Sequence, residues 1–223
     1  MRRSKHVYFV RHGESAGNAA GITQGDTTPL SVFGEKQSAL VARRLAMHAF
    51  ERIVRSSHVR AEQTTAIIAK HLAAVPVEES ALFIERRNPS VMLGTRRDDP
   101  KTKHIWETIG NNYHVPGWHH SDEENFEDLR GRAKAALRYL EGLPESRILV
   151  VSHGMFMKMI FAHILLGEHL DGRIFWDRFI PVKNSVNTGI MFLEYTERYD
   201  RNEMYWKLHS WNEHAHLLDD PVF

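Results

Sequence analysis

The chain has 223 residues, 42% of them hydrophobic and 26% charged, a globular composition that excludes wholesale disorder. Its 29 basic residues against 28 acidic ones give a formal charge of +1, so no global charge points to nucleic-acid wrapping or an acidic partner. The absence of cysteine excludes a disulfide scaffold, a thiolate nucleophile and cysteine-ligated zinc or iron–sulfur.

The basic start, Met1-Arg2-Arg3-Ser4-Lys5-His6, leads into the apolar run Val7 to Val10. That run is too short for a signal-peptide core, and no stretch reaches the roughly 18–20 apolar residues of a membrane span. The expectation is a soluble cytoplasmic protein with no membrane or nucleic-acid partner and an open oligomeric state. Residues 1–223 are expected to form a single domain.

Val7-Tyr8-Phe9-Val10 reads as a strand buried on both faces, followed by a polar loop through Pro29. Residues 34–49 read as a helix, 52–55 as a weak strand and 59–73 as a helix with Ala61, Thr65, Ile68 and Leu72 at helical spacing. Leu82-Phe83-Ile84 is expected to be a short strand. Residues 86–124 show no sustained period and hold many Arg, Lys, Pro and Gly, so they read as an irregular cap insertion. A helix is predicted over 126–141, ended by Gly142 and Pro144. A buried strand follows at 148–151, then a deeply packed helix over 155–166 and two late strands at 190–193 and 204–208. Strands alternating with helices predict a three-layer α/β/α sandwich with a mostly parallel central sheet, and the late strands, which have no helix between them, predict one antiparallel edge.

Three polar clusters share one setting. Arg11-His12-Gly13 follows the first strand, His58 and Arg60 follow the strand at 52–55, and Ser152-His153-Gly154 follows the strand at 148–151. Ligands of open α/β sheets bind outside the carboxyl ends of the strands, so these groups are expected to converge on one crevice. Arginine forks, helix N-termini at 59 and 154 and bulk-free glycines beside each histidine suit a phosphate dianion. A histidine beside two guanidiniums is pushed towards its neutral, nucleophilic form. The reading is phosphoryl transfer through a phosphohistidine.

Val10-Arg11-His12-Gly13-Glu14-Ser15-Ala16-Gly17-Asn18 resembles the signature of the histidine phosphatase superfamily, the phosphoglycerate-mutase-like fold. Pro29-Leu30-Ser31 with Gly34 and Gln37, Ser56 to Thr64, Leu82 to Arg86 and Val150 to Gly154 resemble its further stretches, in the same order. The resemblance implies that His12 attacks phosphorus and that Arg11, Arg60 and His153 hold the phosphoryl oxygens. Asn18, Thr23 and Gly154 would add phosphate contacts. Glu85 would protonate the leaving oxygen and then activate water, and burial is expected to tune its acidity for both tasks. No cofactor or metal is required, and the partner is a small phosphorylated substrate.

Other readings stand beside this one. Asn18 can cap a turn, and Gln24 and His58 read as wall residues. The Arg and Lys set in 86–103 is either a solvated face or a site for a second anion. His119-His120 and His214-Ala215-His216 lack helical metal-site spacing and read as solvated or interface histidines. Met155, Met157 and Met159 read as packing. The mutases of this fold follow the acid with an Arg-Tyr-Gly-Gly-like run, whereas this chain has Glu85-Arg86-Arg87-Asn88-Pro89. A phosphatase is therefore the expectation, ahead of a phosphoryl-shuttling mutase, a metal hydrolase or a non-catalytic binder.

Overall fold

The structure is a computed structural model that describes residues 4–182 and 185–218. The basic Met1-Arg2-Arg3 start lies outside the described residues. Strands β1 (Lys5–Arg11), β2 (Arg52–Arg55), β3 (Val77–Glu79), β4 (Arg147–Ser152), β5 (Ile190–Glu197) and β6 (Met204–Glu213) form one sheet in the order β3-β2-β4-β1-β5-β6. The first four run parallel, and β5 and β6 close the other side antiparallel.

Period-two alternation divides the apolar side chains between two faces. Val7, Phe9, Val54, Ile148 and Val150 face a core with helices α5 (Phe126–Gly142) and α6 (Gly154–Leu166). Val10, Ile53, Leu149 and Val151 face the second core, with α2 (Val32–Leu45) and α3 (Val59–Ala69), while a single-turn helix α1 (Ala16–Ala19) lies in the loop after β1. The three layers and the mostly parallel sheet match the expectation from sequence. Among the described residues no helix is long and apolar enough to cross a membrane.

Two expectations need correction. Leu82-Phe83-Ile84 is not a strand. Ala81–Phe83 is a 3-10 turn, opened by Ser80 Oγ accepting from the Leu82 amide at 3.3 Å, and Phe83 points into the core. The edge strand lies earlier, at Val77–Glu79, whose exposed and acidic residues carry no apolar signal. The second correction concerns 86–124, which is less irregular than expected. It holds α4 (Pro100–Asn112), started by Asp99 accepting from the amides of Lys101 (2.9 Å) and Thr102 (3.2 Å), with Pro100 at the first helical position. Only Thr102 and Ile109 of α4 are fully buried, so its apolar stripe is too narrow to register as a period. Boundaries also move. Helix α2 begins at Val32 because Ser31 caps the Gly34 amide at 3.0 Å, and β5 and β6 run longer than expected.

The loop after β1 is pressed directly onto the first turn of α2. A Cβ at Gly34 would overlap the Glu14 carbonyl oxygen, and one at Gly13 would overlap the Gly34 carbonyl oxygen. Gly13 therefore serves backbone packing of the loop rather than access to the neighbouring imidazole. Gly34→Ala is expected to lower unfolding stability by about 1–3 kcal/mol, because backbone must shift. Gly131→Ala, in the exposed middle of α5 with open space around it, is expected to raise stability by about 0.5–1 kcal/mol. Urea denaturation of both variants checks the two signs, and equal effects contradict this packing.

Candidate active site

The carboxyl ends of β1, β2 and β4 lie side by side, with Arg11 in register with Ser152 and Arg55 with Val151. The loops that leave them deliver His12, His58, Arg60 and His153 to one place. The rings of His12 and His153 are 5.0 Å apart, and those of His58 and His153 are 4.7 Å apart. The convergence expected from sequence is what the fold builds.

His12 is buried. Its Nδ1 lies 2.6 Å from the Gly13 carbonyl oxygen, which can only accept, so Nδ1 carries the ring proton. Its Nε2 accepts from Arg60 Nε at 3.2 Å, a role open only to an unprotonated nitrogen. Electrostatics agree with this geometry. Burial first, then the Arg60 and Arg11 guanidiniums, hold His12 well below the usual histidine pKa.

Arg60 opens α3 and is itself buried. Its other nitrogens donate to the Gly25 carbonyl at 2.7 Å and to His58 Nδ1 at 2.9 Å. Burial, with Arg11 adding to it and Glu85 opposing, lowers Arg60 to about 10. His58 falls to about 4, through burial and then Arg60. His153 is driven well below its usual value by burial and then by Arg60. Ser56 Oγ accepts from the His58 amide at 3.2 Å and lies 2.7 Å from His153 Nε2. With the Ser56 hydroxyl donating to Nε2, His153 Nδ1 carries the proton. That nitrogen is buried and has no protein partner among the described residues, as is also true of Arg11 Nε. Arg11 Nε is thereby a free donor for an anion, and His153 Nδ1 is a second one in that tautomer. Arg11 Nη1 donates to the Ser185 carbonyl.

Glu85 occupies the N-terminus of α6. Its carboxylate accepts from the amides of Arg86 (2.9 Å), Met155 (3.1 Å) and Phe156 (3.0 Å). It is also the leading favourable charge acting on both Arg11 and Arg60. These contacts narrow the expectation for the α6 terminus, because the Met155 and Phe156 amides are taken up by Glu85 and are not left for phosphate. The α3 terminus differs in the same way, because the Val59 amide donates to the Asp26 carbonyl at 3.0 Å. A Cβ on Gly154 would stand 3.4 Å from Arg11 Nε, an ordinary contact, so the glycine lies directly against that guanidinium.

A cleft of about 740 Å³ opens above the cluster. Arg11, His12, Asn18, Thr23, Arg60, Glu85 and Gly154 line it, with Gln24 and His58 on the wall as expected. His153 is wholly buried beneath it. Asn18 does cap a turn, in reciprocal bonds with Ser15, and still reaches the cleft. The far wall comes from the 86–124 segment through Arg86, Arg87, Arg97, Lys103 and Trp106. Tyr113 lies in the core with Trp118 packed against it, and Met155 lines the cleft besides packing.

Ser56 and Lys158 have no role in the reading from sequence. Lys158 is buried in α6, donates to the carbonyls of Ile180 (3.1 Å) and Val182 (2.7 Å), and is lowered to about 8 mainly by burial. A single lysine in an otherwise apolar helix was the signal for it. His216 is buried against Thr188 of its own chain, which corrects its reading as a solvated or interface histidine, whereas His119 is exposed beside Asp128.

Stability should follow the buried rings. As pH falls through about 6.5, the unfolded chain protonates His12 and His153 while the folded protein keeps them neutral. Unfolding then takes up protons, so each ring weakens the fold by about 1.4 kcal/mol per pH unit until its folded pKa is reached. Above about pH 6.5 neither contributes. Denaturant titrations at about pH 7.5 and 5.5 are expected to differ by about 2 kcal/mol or more, with lower stability in acid. Equal stability contradicts the neutral-ring assignment.

Residues 7–213 match the histidine phosphatase superfamily (branch 1). The protein named "Probable phosphoglycerate mutase GpmB" from Photorhabdus laumondii is 34% identical over 177 residues, covering 75% of this chain and 79% of that one. A phosphoserine phosphatase mutant from Entamoeba histolytica, solved with phosphoserine, superposes with a TM-score of 0.74 at 22% identity, over 96% of this chain and 99% of that one. The mycobacterial glucosyl-3-phosphoglycerate phosphatase in complex with VO3 gives 0.71 at 19% identity, over 93% and 99%. These two structures share the fold. With the extent of the match and the relative's identity together, the chain belongs to the histidine phosphatase superfamily.

Proposed function

We propose that this protein is a phosphatase that hydrolyses a small phosphomonoester through a phosphohistidine at His12. The observation that carries the reading is the state of His12, with Nδ1–H donating to Gly13 and Nε2 an unprotonated nitrogen 3.2 Å from Arg60 Nε. Nε2 attacks phosphorus, the bond to the leaving oxygen breaks, and protonated Glu85 supplies the proton to that oxygen. Water then attacks the phosphohistidine, Glu85 takes its proton, and the P–N bond breaks to release inorganic phosphate. Arg11, Arg60 and His153 offset the charge on the non-bridging oxygens, and Asn18, Thr23 and Gly154 shape the pocket. No metal enters this scheme.

A second reading, a phosphoryl shuttle of the phosphoglycerate-mutase type, is favoured by the name of the curated relative. Arg87, Arg97 and Lys103 along the cleft are consistent with a second anionic group on the substrate under either reading. Release of inorganic phosphate from a phosphomonoester panel supports hydrolysis, whereas isomerised product without phosphate release supports the shuttle.

His12→Ala is expected to reduce turnover about 1000-fold or more. Orthovanadate is expected to inhibit the unmodified protein, and chelators are expected to leave it active. Glu85→Gln is expected to slow the formation of the phosphohistidine from alkyl phosphates about 100-fold while sparing its formation from aryl phosphates, whose leaving groups need no proton, with that step read in single-turnover experiments. Equal loss on both classes contradicts the role of Glu85, and full activity in His12→Ala contradicts the whole scheme.

A further inference from the structure

The only two non-glycine residues with positive φ among the described residues are Thr188 (63°) and Asn212 (59°). They lie far apart in sequence from His12, yet both belong to one hydrogen-bonded assembly behind it. A β-branched residue in the left-handed region is a strained position, kept only when its surroundings over-determine it.

The bonds describe what holds it. The Thr188 amide donates to the Arg11 carbonyl at 3.0 Å and to the His12 carbonyl at 3.4 Å. Asn187 Nδ2 donates to the same His12 carbonyl at 3.0 Å and reaches Asn18 Oδ1 at 3.4 Å. The Arg11 amide donates back to Gly189 O at 3.1 Å. Residues 187–189 thus grip the peptides of both Arg11 and His12. The outer side of this segment is braced in turn by the stretch after β6. Asn212 Oδ1 accepts from the Val186 amide at 2.7 Å. Thr188 Oγ1 gives its proton to the Asn187 carbonyl at 2.7 Å, so at 3.0 Å it can only accept from His216 Nε2. Thr188 is fully buried and His216 nearly so, which removes water as a competing partner.

We infer that Asn187, Thr188, Asn212 and His216 form a clamp that positions the peptide of His12 for in-line attack. They are positioning residues: Asn187 and Thr188 bond directly to the Arg11 and His12 carbonyls, and Asn212 and His216 act one step further out by bracing Val186 and Thr188. The inference rests on the reading of His12 as the nucleophile. Small displacements of a reacting group are costly, about 100-fold for an ångström. A loosened clamp therefore lowers kcat while anion binding, which also draws on Arg60 and His153, is largely kept.

The experiment compares His216→Ala with His216→Gln, whose amide can still donate to Thr188 Oγ1. For His216→Ala the expected results are a folded protein, inorganic phosphate binding within about twofold of the parent, and kcat on an aryl phosphate lowered about tenfold or more. In ¹⁵N-histidine NMR the Nδ1–H signal of His12 is expected to shift or broaden. His216→Gln is expected to recover most of both losses. If His216→Ala fails to fold, Thr188→Val, which keeps the shape and removes the hydroxyl acceptor, is read in the same assays against Thr188→Ser, which keeps it. Unchanged kcat and an unmoved His12 signal in the deleted variants overturn the clamp, as does equal loss in the conservative ones. An unmodified protein that forms no phosphohistidine overturns the reading of His12 instead, and the NMR comparison still decides the clamp.

Discussion

The nitrogens of Arg60 are taken up by Gly25, His12 and His58, and two of those three bonds require a ring nitrogen that carries no proton. A buried guanidinium is thus solvated by a carbonyl and two neutral imidazoles, with Glu85 as its main counter-charge. Protonating either ring would remove an acceptor and add a like charge in a buried setting, where both changes are costly. The arrangement keeps two histidines uncharged near neutral pH and holds the surplus positive charge that an incoming phosphoryl dianion would balance.

Other features of the molecule serve that constraint. The Arg11-His12-Gly13 loop is pressed on one side against α2 through the facing glycines 13 and 34. On the other side it is bonded to residues 187–189 and, by the His12 amide, to the Ser152 carbonyl at 3.0 Å. Ser152 in turn donates its hydroxyl to the Phe83 carbonyl at 2.8 Å, which ties the strand end of β4 to the turn that precedes Glu85. The carboxylate of Glu85 is then fixed by the first amides of α6. His12, Arg60 and His153 are thus mounted at strand ends or helix starts, and Glu85, which leaves a loop, is fixed by its bonds to the start of α6.

Much of this was legible from sequence because local features dictate it. Val7 to Val10 and Ile148 to Val151 are apolar runs, and only a strand covered on both faces suits them in so few residues. The polar residues directly after those runs had to sit at the carboxyl ends of strands, which is why His12, Arg11, Arg60 and His153 could be named from placement as well as from resemblance. Features fixed by long-range contacts were not legible. Ala81–Phe83 is apolar enough for a strand, and the Ser80 cap together with the burial of Phe83 in the core makes it a turn. Helix α4 hides behind a narrow stripe, although Asp99-Pro100 marked its start. His216 acquires meaning only when β6 brings it back to Thr188.

The central claim is that Nε2 of His12 is the atom that takes the phosphoryl group, because Nδ1 is committed to Gly13. Rapid quenching in alkali during turnover of a slow phosphomonoester, followed by ³¹P NMR and peptide mapping, tests it most directly. The account predicts a single phosphohistidine at His12 substituted on Nε2. A phosphoryl group on Nδ1, on His153 or on His58, or none at all under conditions of turnover, contradicts it.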